Sequence, residues 1–128
     1  MTLSEAIALA EELLPGASAP DGETDPRWQA ILEIARFVPT DPETIWPFVL
    51  RWGSHEDADV RAAIATCLLE HLLEHHFDLI IPRVETAATS SIWFGKTTAT
   101  CWKFGQANEP ERGARMDRLI SVLRKRQP

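Results

Sequence analysis

Apolar residues recur along this chain at steps of three and four, and no stretch alternates apolar with polar. Such spacing gathers them on one helix face, whereas a half-buried strand needs a period of two. Seven helices follow from it. In the first, residues 3–14, Leu3, Ile7, Ala10 and Leu14 share a face that Leu13 widens. Thr2 and Glu5 have capping-box spacing there, and Pro15-Gly16 stops it. Residues 17–24 (ASAPDGET) have no period and read as a loop. Asp25-Pro26 pairs a cap with a proline at the first helical position, and opens a helix carrying Trp28, Ile31, Leu32, Ile34, Ala35 and Val38 ahead of Pro39. Asp41-Pro42, with Thr40 and Glu43 spaced as a capping box, opens a third over 43–53 (ETIWPFVLRWG). Its internal Pro47 predicts a kink or a broken first turn.

The stretch from Ser54 to His76 (SHEDADVRAAIATCLLEHLLEHH) organises the rest. Acids at its start suit the positive end of a helix dipole. Val60, Ile64, Cys67, Leu68 and Leu72 form one apolar face, and Ala62, Ala65, Leu69 and Leu73 a second, so the helix requires neighbours on two sides. Glu70 and Glu74 mark the strip left for solvent. Residues 77–88 form a fifth helix with an internal Pro82. Ser90 or Ser91 caps a sixth that ends at Gly105, and Asn108-Glu109-Pro110 opens a seventh with Met116, Leu119, Ile120 and Leu123 in a stripe. The fold class is all-α in a single domain, 1–128.

The helices repeat. Ala65-Thr66-Cys67 recurs as Ala99-Thr100-Cys101, Pro47 recurs as Pro82, and Asp25-Pro26-Arg27-Trp28-Gln29 stands against Asp57-Ala58-Asp59-Val60-Arg61. Offsets of roughly 32–35 residues point to stacked helical hairpins. Asp57-x-Asp59-Val60-Arg61 before an alanine-rich helix resembles the second helix of a HEAT repeat, and Pro47 is similar to the proline that bends that family's first helix. The likeness is carried by residues 45–76. It implies a right-handed stack of about three antiparallel hairpins, an armadillo-type α-solenoid, with the last helix as a cap. It also implies that Asp57, Asp59, Val60 and Arg61 are structural, with Asp59 and Arg61 helping neighbouring repeats adhere.

Charge narrows the function. The chain has a net charge of -6 and a pI near 5.2. Six acids and no base lie in residues 1–26, while six bases and two acids lie in 111–128. Affinity for a phosphate backbone comes from lysine and arginine displacing counterions, so the balance speaks against nucleic acid and for a basic protein partner. Two cysteines are too few for a disulfide framework, and Cys67 and Cys101 read as small buried hydrophobes. The opening residues show no signal-peptide pattern and no apolar run is long enough for a membrane span. The expected setting is cytoplasmic, without membrane contact.

Two sets of residues hold candidate chemistry. His71-Leu72-Leu73-Glu74-His75 has the H-x-x-E-H spacing that places two zinc ligands one turn apart beside a glutamate base, with Cys67 one turn back and His76 adjacent. A catalytic zinc also needs a third protein ligand from another element, so the main expectation is no cofactor, no metal and no catalytic residue. The other set is aromatic. Five tryptophans are many for a short stack to bury, and tryptophan dominates interface hot spots. The expected binding surface is Trp46, Trp52, Glu70, Glu74, Trp93 and Trp102. The reading is a non-catalytic interaction module, in its specific form an immunity-type inhibitor of a basic enzyme such as a nuclease. A zinc hydrolase on His71, Glu74 and His75 is the alternative. Base excision of the kind known in HEAT-like glycosylases ranks last, because it needs a basic concave face.

Overall fold

A computed structural model describes residues 1–20 and 22–126. All regular structure among them is helical: α1 (Leu3–Leu13), α2 (Pro26–Ala35), α3 (Pro42–Gly53), α4 (58–75), α5 (Phe77–Ser90), α6 (Ile92–Thr100) and α7 (Pro110–Arg126), with a 3₁₀ turn at Gly105–Asn108. Within α4, Ala58–Ile64 and Glu70–His75 are α-helical and Ala65–Leu69 between them is π-helical. No described helix is long and apolar enough to cross a membrane.

The helix starts follow local chemistry. Thr2 Oγ1 accepts the Glu5 N–H at 3.1 Å while Glu5 accepts the Thr2 N–H at 3.0 Å. Asp25 and Asp57 each accept a backbone N–H two residues on at 2.9 Å, and Ser91 accepts that of Phe94 at 3.2 Å. The expected box at α3 does not form. Asp41 makes no side-chain cap bond, Thr40 donates to the Phe37 carbonyl, and Glu43 is drawn to Arg83 at 2.8 Å. Ser54 closes α3 by donating to the Leu50 carbonyl at 2.7 Å, so α4 starts at the Asp57 cap. Pro47 leaves α3 unbroken, its neighbours Ile45, Trp46, Phe48 and Val49 all being held in the core.

The helices pack in sequence pairs, α1 on α2, α3 on α4 and α5 on α6, and α4 also touches α2 and α6. Both expected faces of α4 are buried, with Ala63 taking the place assigned to Ala62. α7 lies against α5 and α6, burying Met116 and Leu123. Gly53 lets Phe94 of α6 approach the end of α3: a Cβ there would lie 2.9 Å from the Phe94 ring. Phe94 in turn meets Trp46 edge-on at 5.9 Å, and Thr97 donates to the Gly53 carbonyl at 2.6 Å.

Charged pairs link the helix pairs in a recurrent way. Glu11 of α1 meets Arg51 of α3 at 3.3 Å and Glu43 of α3 meets Arg83 of α5 at 2.8 Å, each pair spanning 40 residues. Beneath them Arg27 of α2 meets Asp59 of α4 at 2.5 Å across 32 residues. Arg27 and Asp59 hold the same position relative to their caps, Asp25 and Asp57, so equivalent sites in successive helix pairs carry opposite charge. The surface pairs are each worth little. Arg27 differs, being buried.

Candidate interaction surface

A π turn holds one residue more than an α turn, so the helix beyond it is rotated by about one helical step, roughly 100°. In α4 the Glu70 N–H donates back five residues to the Ala65 carbonyl. Glu70, the first residue past this turn, is not on the solvent strip where unbroken α-periodicity places it but only 4% exposed, with Trp102 closing over it. Its carboxylate accepts the backbone N–H of Trp102 at 2.9 Å. Burial pushes the Glu70 carboxyl above the usual carboxylate range, with that hydrogen bond and the nearby His71 working against the rise.

This contact sets the course of the chain after α6. The helix stops at Thr100, short of the expected end at Gly105, because Cys101 turns extended and the Trp102 N–H goes to Glu70. Gly105 then adopts a φ of 52°. A Cβ there would lie 2.7 Å from Glu74 Cγ and 3.0 Å from the Glu74 carbonyl oxygen. Gln106 locks the crossing, its Oε1 accepting the Phe77 N–H at 2.9 Å and its Nε2 donating to the His75 carbonyl at 3.0 Å. Gly105→Ala is expected to cost about 1–2 kcal/mol for the left-handed backbone alone, measured as a lower urea midpoint.

The crossing displays aromatic side chains. Trp102 is 74% exposed and Phe104 is 43% exposed. The Phe104 ring stacks on His71 at 6.3 Å and 13°. Glu74 Oε1 lies 2.8 Å from His71 Nδ1 and 3.5 Å from His75 Nε2, so one carboxylate gathers both imidazoles. Lys103 is drawn away to Asp117 at 2.8 Å.

The expected surface is therefore redrawn. Trp46 and Trp52 belong to the core, Trp46 against Phe94 and Trp52 between Phe48 at 6.4 Å and His55 at 5.7 Å. Glu70 is a buried anchor. Trp102 remains exposed and Glu74 partly so, Glu74 holding the His71 ring on which Phe104 stacks, and Trp93 lies elsewhere, under Arg61 and Lys96. Of the residues given structural roles, Asp57 caps α4, Asp59 holds Arg27, Val60 is buried, and Arg61 donates to the His55 and Glu56 carbonyls. Periodicity and motif spacing do not reveal the roles of Gly105 and Gln106. Glycine ahead of a polar residue is the only local signal of such a turn.

For metal chemistry the geometry supplies less than the spacing suggests. His71 and His75 converge on Glu74 itself, and His76 turns away to the Val38 carbonyl at 2.8 Å. Among the described residues no three His, Cys, Asp or Glu side chains are grouped to hold a metal ion. Burial raises the Cys67 thiol pKa and raises that of Cys101 well above the ordinary range, with the Glu70 charge adding to both, so neither is poised as a thiolate. No known protein family, curated protein or solved structure matches this chain.

Proposed function

We propose that this protein is a non-catalytic interaction module, a short HEAT-like stack of hairpins capped by α7, which grips a basic protein partner through Trp102, Phe104, His71 and Glu74. Trp102 carries the proposal. An indole left 74% exposed, on a backbone tied to a buried carboxylate and held by a left-handed glycine, is a positioned anchor. Large apolar side chains fixed in place lose little entropy on docking, which is how a few residues come to dominate an interface.

The stack is supported by the order of helix contacts and by complementary charges at equivalent positions, Arg27 against Asp59, and Glu11 and Glu43 against Arg51 and Arg83. A basic partner is supported by the net charge of -6 and by Glu74 beside the aromatic ridge. An inhibitor of a basic enzyme, of the immunity type, is the specific form this takes.

The test is a photo-crosslinker placed at position 102, and at the exposed Arg36 as control, in native lysate. The expected product is a basic protein captured from position 102 alone and released by salt. Trp102→Ala with Phe104→Ala should weaken its binding by about thirtyfold, the scale of a hot spot, with an unchanged melting curve. Equal capture from both positions, or none, overturns the proposal.

A further inference from the structure

Nearly every lysine and arginine ahead of Met116 meets a carboxylate: Arg27, Arg36, Arg51, Arg83, Lys103, Arg112 and Arg115 all do. Arg61 and Lys96 form no ion pair among the described residues, and both lie against one tryptophan. Arg61 Cζ is 4.8 Å and Lys96 Nζ 5.2 Å from the Trp93 ring centre. Arg61 is fixed there, one guanidinium nitrogen donating to the His55 and Glu56 carbonyls at 3.0 and 2.6 Å. One turn beyond Lys96, Arg124 of α7 reaches the Ala99 carbonyl at 3.5 Å, and it too has no carboxylate partner among the described residues. Trp93 is 36% exposed and Ile92 beside it 54%.

Half-buried like charges gathered on one ring are partly offset by its negative face, but the Lys96 ammonium and the guanidinium N–H groups that Arg61 does not give to carbonyls are left to solvent. An incoming anion supplies what is missing. We propose that Arg61, Trp93, Lys96 and Arg124 form a second docking strip, separate from the Trp102 ridge, for an acidic peptide segment. Its carboxylates bond the three cations, and an apolar side chain between them packs on Trp93 and Ile92.

Size and surroundings favour a peptide over a nucleic acid. The strip follows α6, nine residues or about 13 Å long. The whole chain is at -6, and the acids next to Arg61 in the sequence are engaged elsewhere, Asp57 at the cap of α4 and Asp59 with Arg27. A polyphosphate backbone, longer than the strip, has to run on over a surface of net negative charge. A segment with a few spaced carboxylates does not.

The intact chain is titrated with a synthetic pentapeptide of four glutamates around a phenylalanine, and in parallel with an oligothymidylate, following tryptophan indole N–H signals by NMR. The peptide is expected to move the Trp93 signal. Lys96→Glu should weaken binding by about tenfold, the loss of one charge-assisted contact. Arg36→Glu makes the same charge change at the exposed end of α2 and should leave affinity within about twofold, as a screened distant charge would. Arg124→Glu repeats the test from α7 should Lys96→Glu disturb the helix. A motionless Trp93 signal, equal loss in Arg36→Glu, or tighter binding of the oligothymidylate overturns the proposal.

Discussion

Replacing Arg27 with alanine is expected to destabilise the protein by about 3–5 kcal/mol, read as a lower urea midpoint with the slope unchanged. Arg27 is 4% exposed and its guanidinium is fully engaged. Nη1 donates to the Gly16 carbonyl at 3.2 Å, and Nη2 to Ser18 at 2.7 Å, Asp25 at 3.0 Å and Asp59 at 2.5 Å. One side chain thus joins the end of α1, the following loop, the cap of α2 and the first turn of α4. Its removal leaves Asp25 and Asp59 facing each other with no cation between them. Arg27→Lys should recover only part of the loss, because an ammonium cannot serve diverging acceptors as a planar fork does. Asp59→Ala should cost about 1 kcal/mol at most, its carboxylate being 45% exposed and screened.

The same cluster fixes a pH dependence. The hydrogen bond from Arg27 is the main reason the Asp25 carboxyl titrates below its ordinary value of 3.8. A folded pKa below the unfolded one means that this contribution is complete above about pH 4 and is lost as pH falls through the folded value. Wild type should therefore lose stability below pH 4 more steeply than Arg27→Ala, followed by circular dichroism in acid titration.

Features decided within one turn of chain were readable in the sequence. The caps at Thr2 and Asp25 depend on a side chain two or three residues from its donor and form where the spacing places them, and Ser91 is one of the two residues expected to cap α6; the box expected from Thr40 and Glu43 does not form, and α4 starts later than expected, at Asp57. The two-sided burial of α4 was readable as well, since Ile64, Leu68, Leu69 and Leu73 leave no wide polar face. What escaped depends on residues far apart. Nothing near Glu70 announces a π turn, which relies on Cys101 and Trp102, some thirty residues on, closing over that part of α4. Trp46 reaches the core because Gly53 admits Phe94 across the α3–α6 contact, a fit that composition does not reveal. So of the six-residue surface expected from tryptophan count and α-periodicity, Trp102 and in part Glu74 stay at the surface near the crossing, Trp46, Trp52 and Glu70 are buried, and Trp93 lies under Arg61 and Lys96.

The second large effect is expected at Glu70, with opposite signs for two substitutions. Burial raises this carboxyl above its ordinary value of 4.5, so the folded state holds the proton more tightly than the unfolded chain. By linkage, stability falls as pH rises from about 4.5 through the folded value, and at pH 7 the site carries the cost of a desolvated charge. Glu70→Gln keeps an oxygen to accept the Trp102 N–H and removes that charge. It should match wild type near pH 4 and exceed it at pH 7, the gap opening as pH rises through the folded value. Glu70→Ala keeps no acceptor. It should lose about 1–3 kcal/mol for the unpaired N–H and free the crossing that presents Trp102. The pair separates anchoring from charge at the proposed surface: Glu70→Gln should bind the partner as wild type does, and Glu70→Ala should bind it more weakly than its loss of stability alone explains. If Glu70→Gln were instead less stable at pH 7 than wild type, the carboxylate would have to be favoured by its surroundings, and the buried acid would be a source of stability in place of a cost borne to hold Trp102 outward.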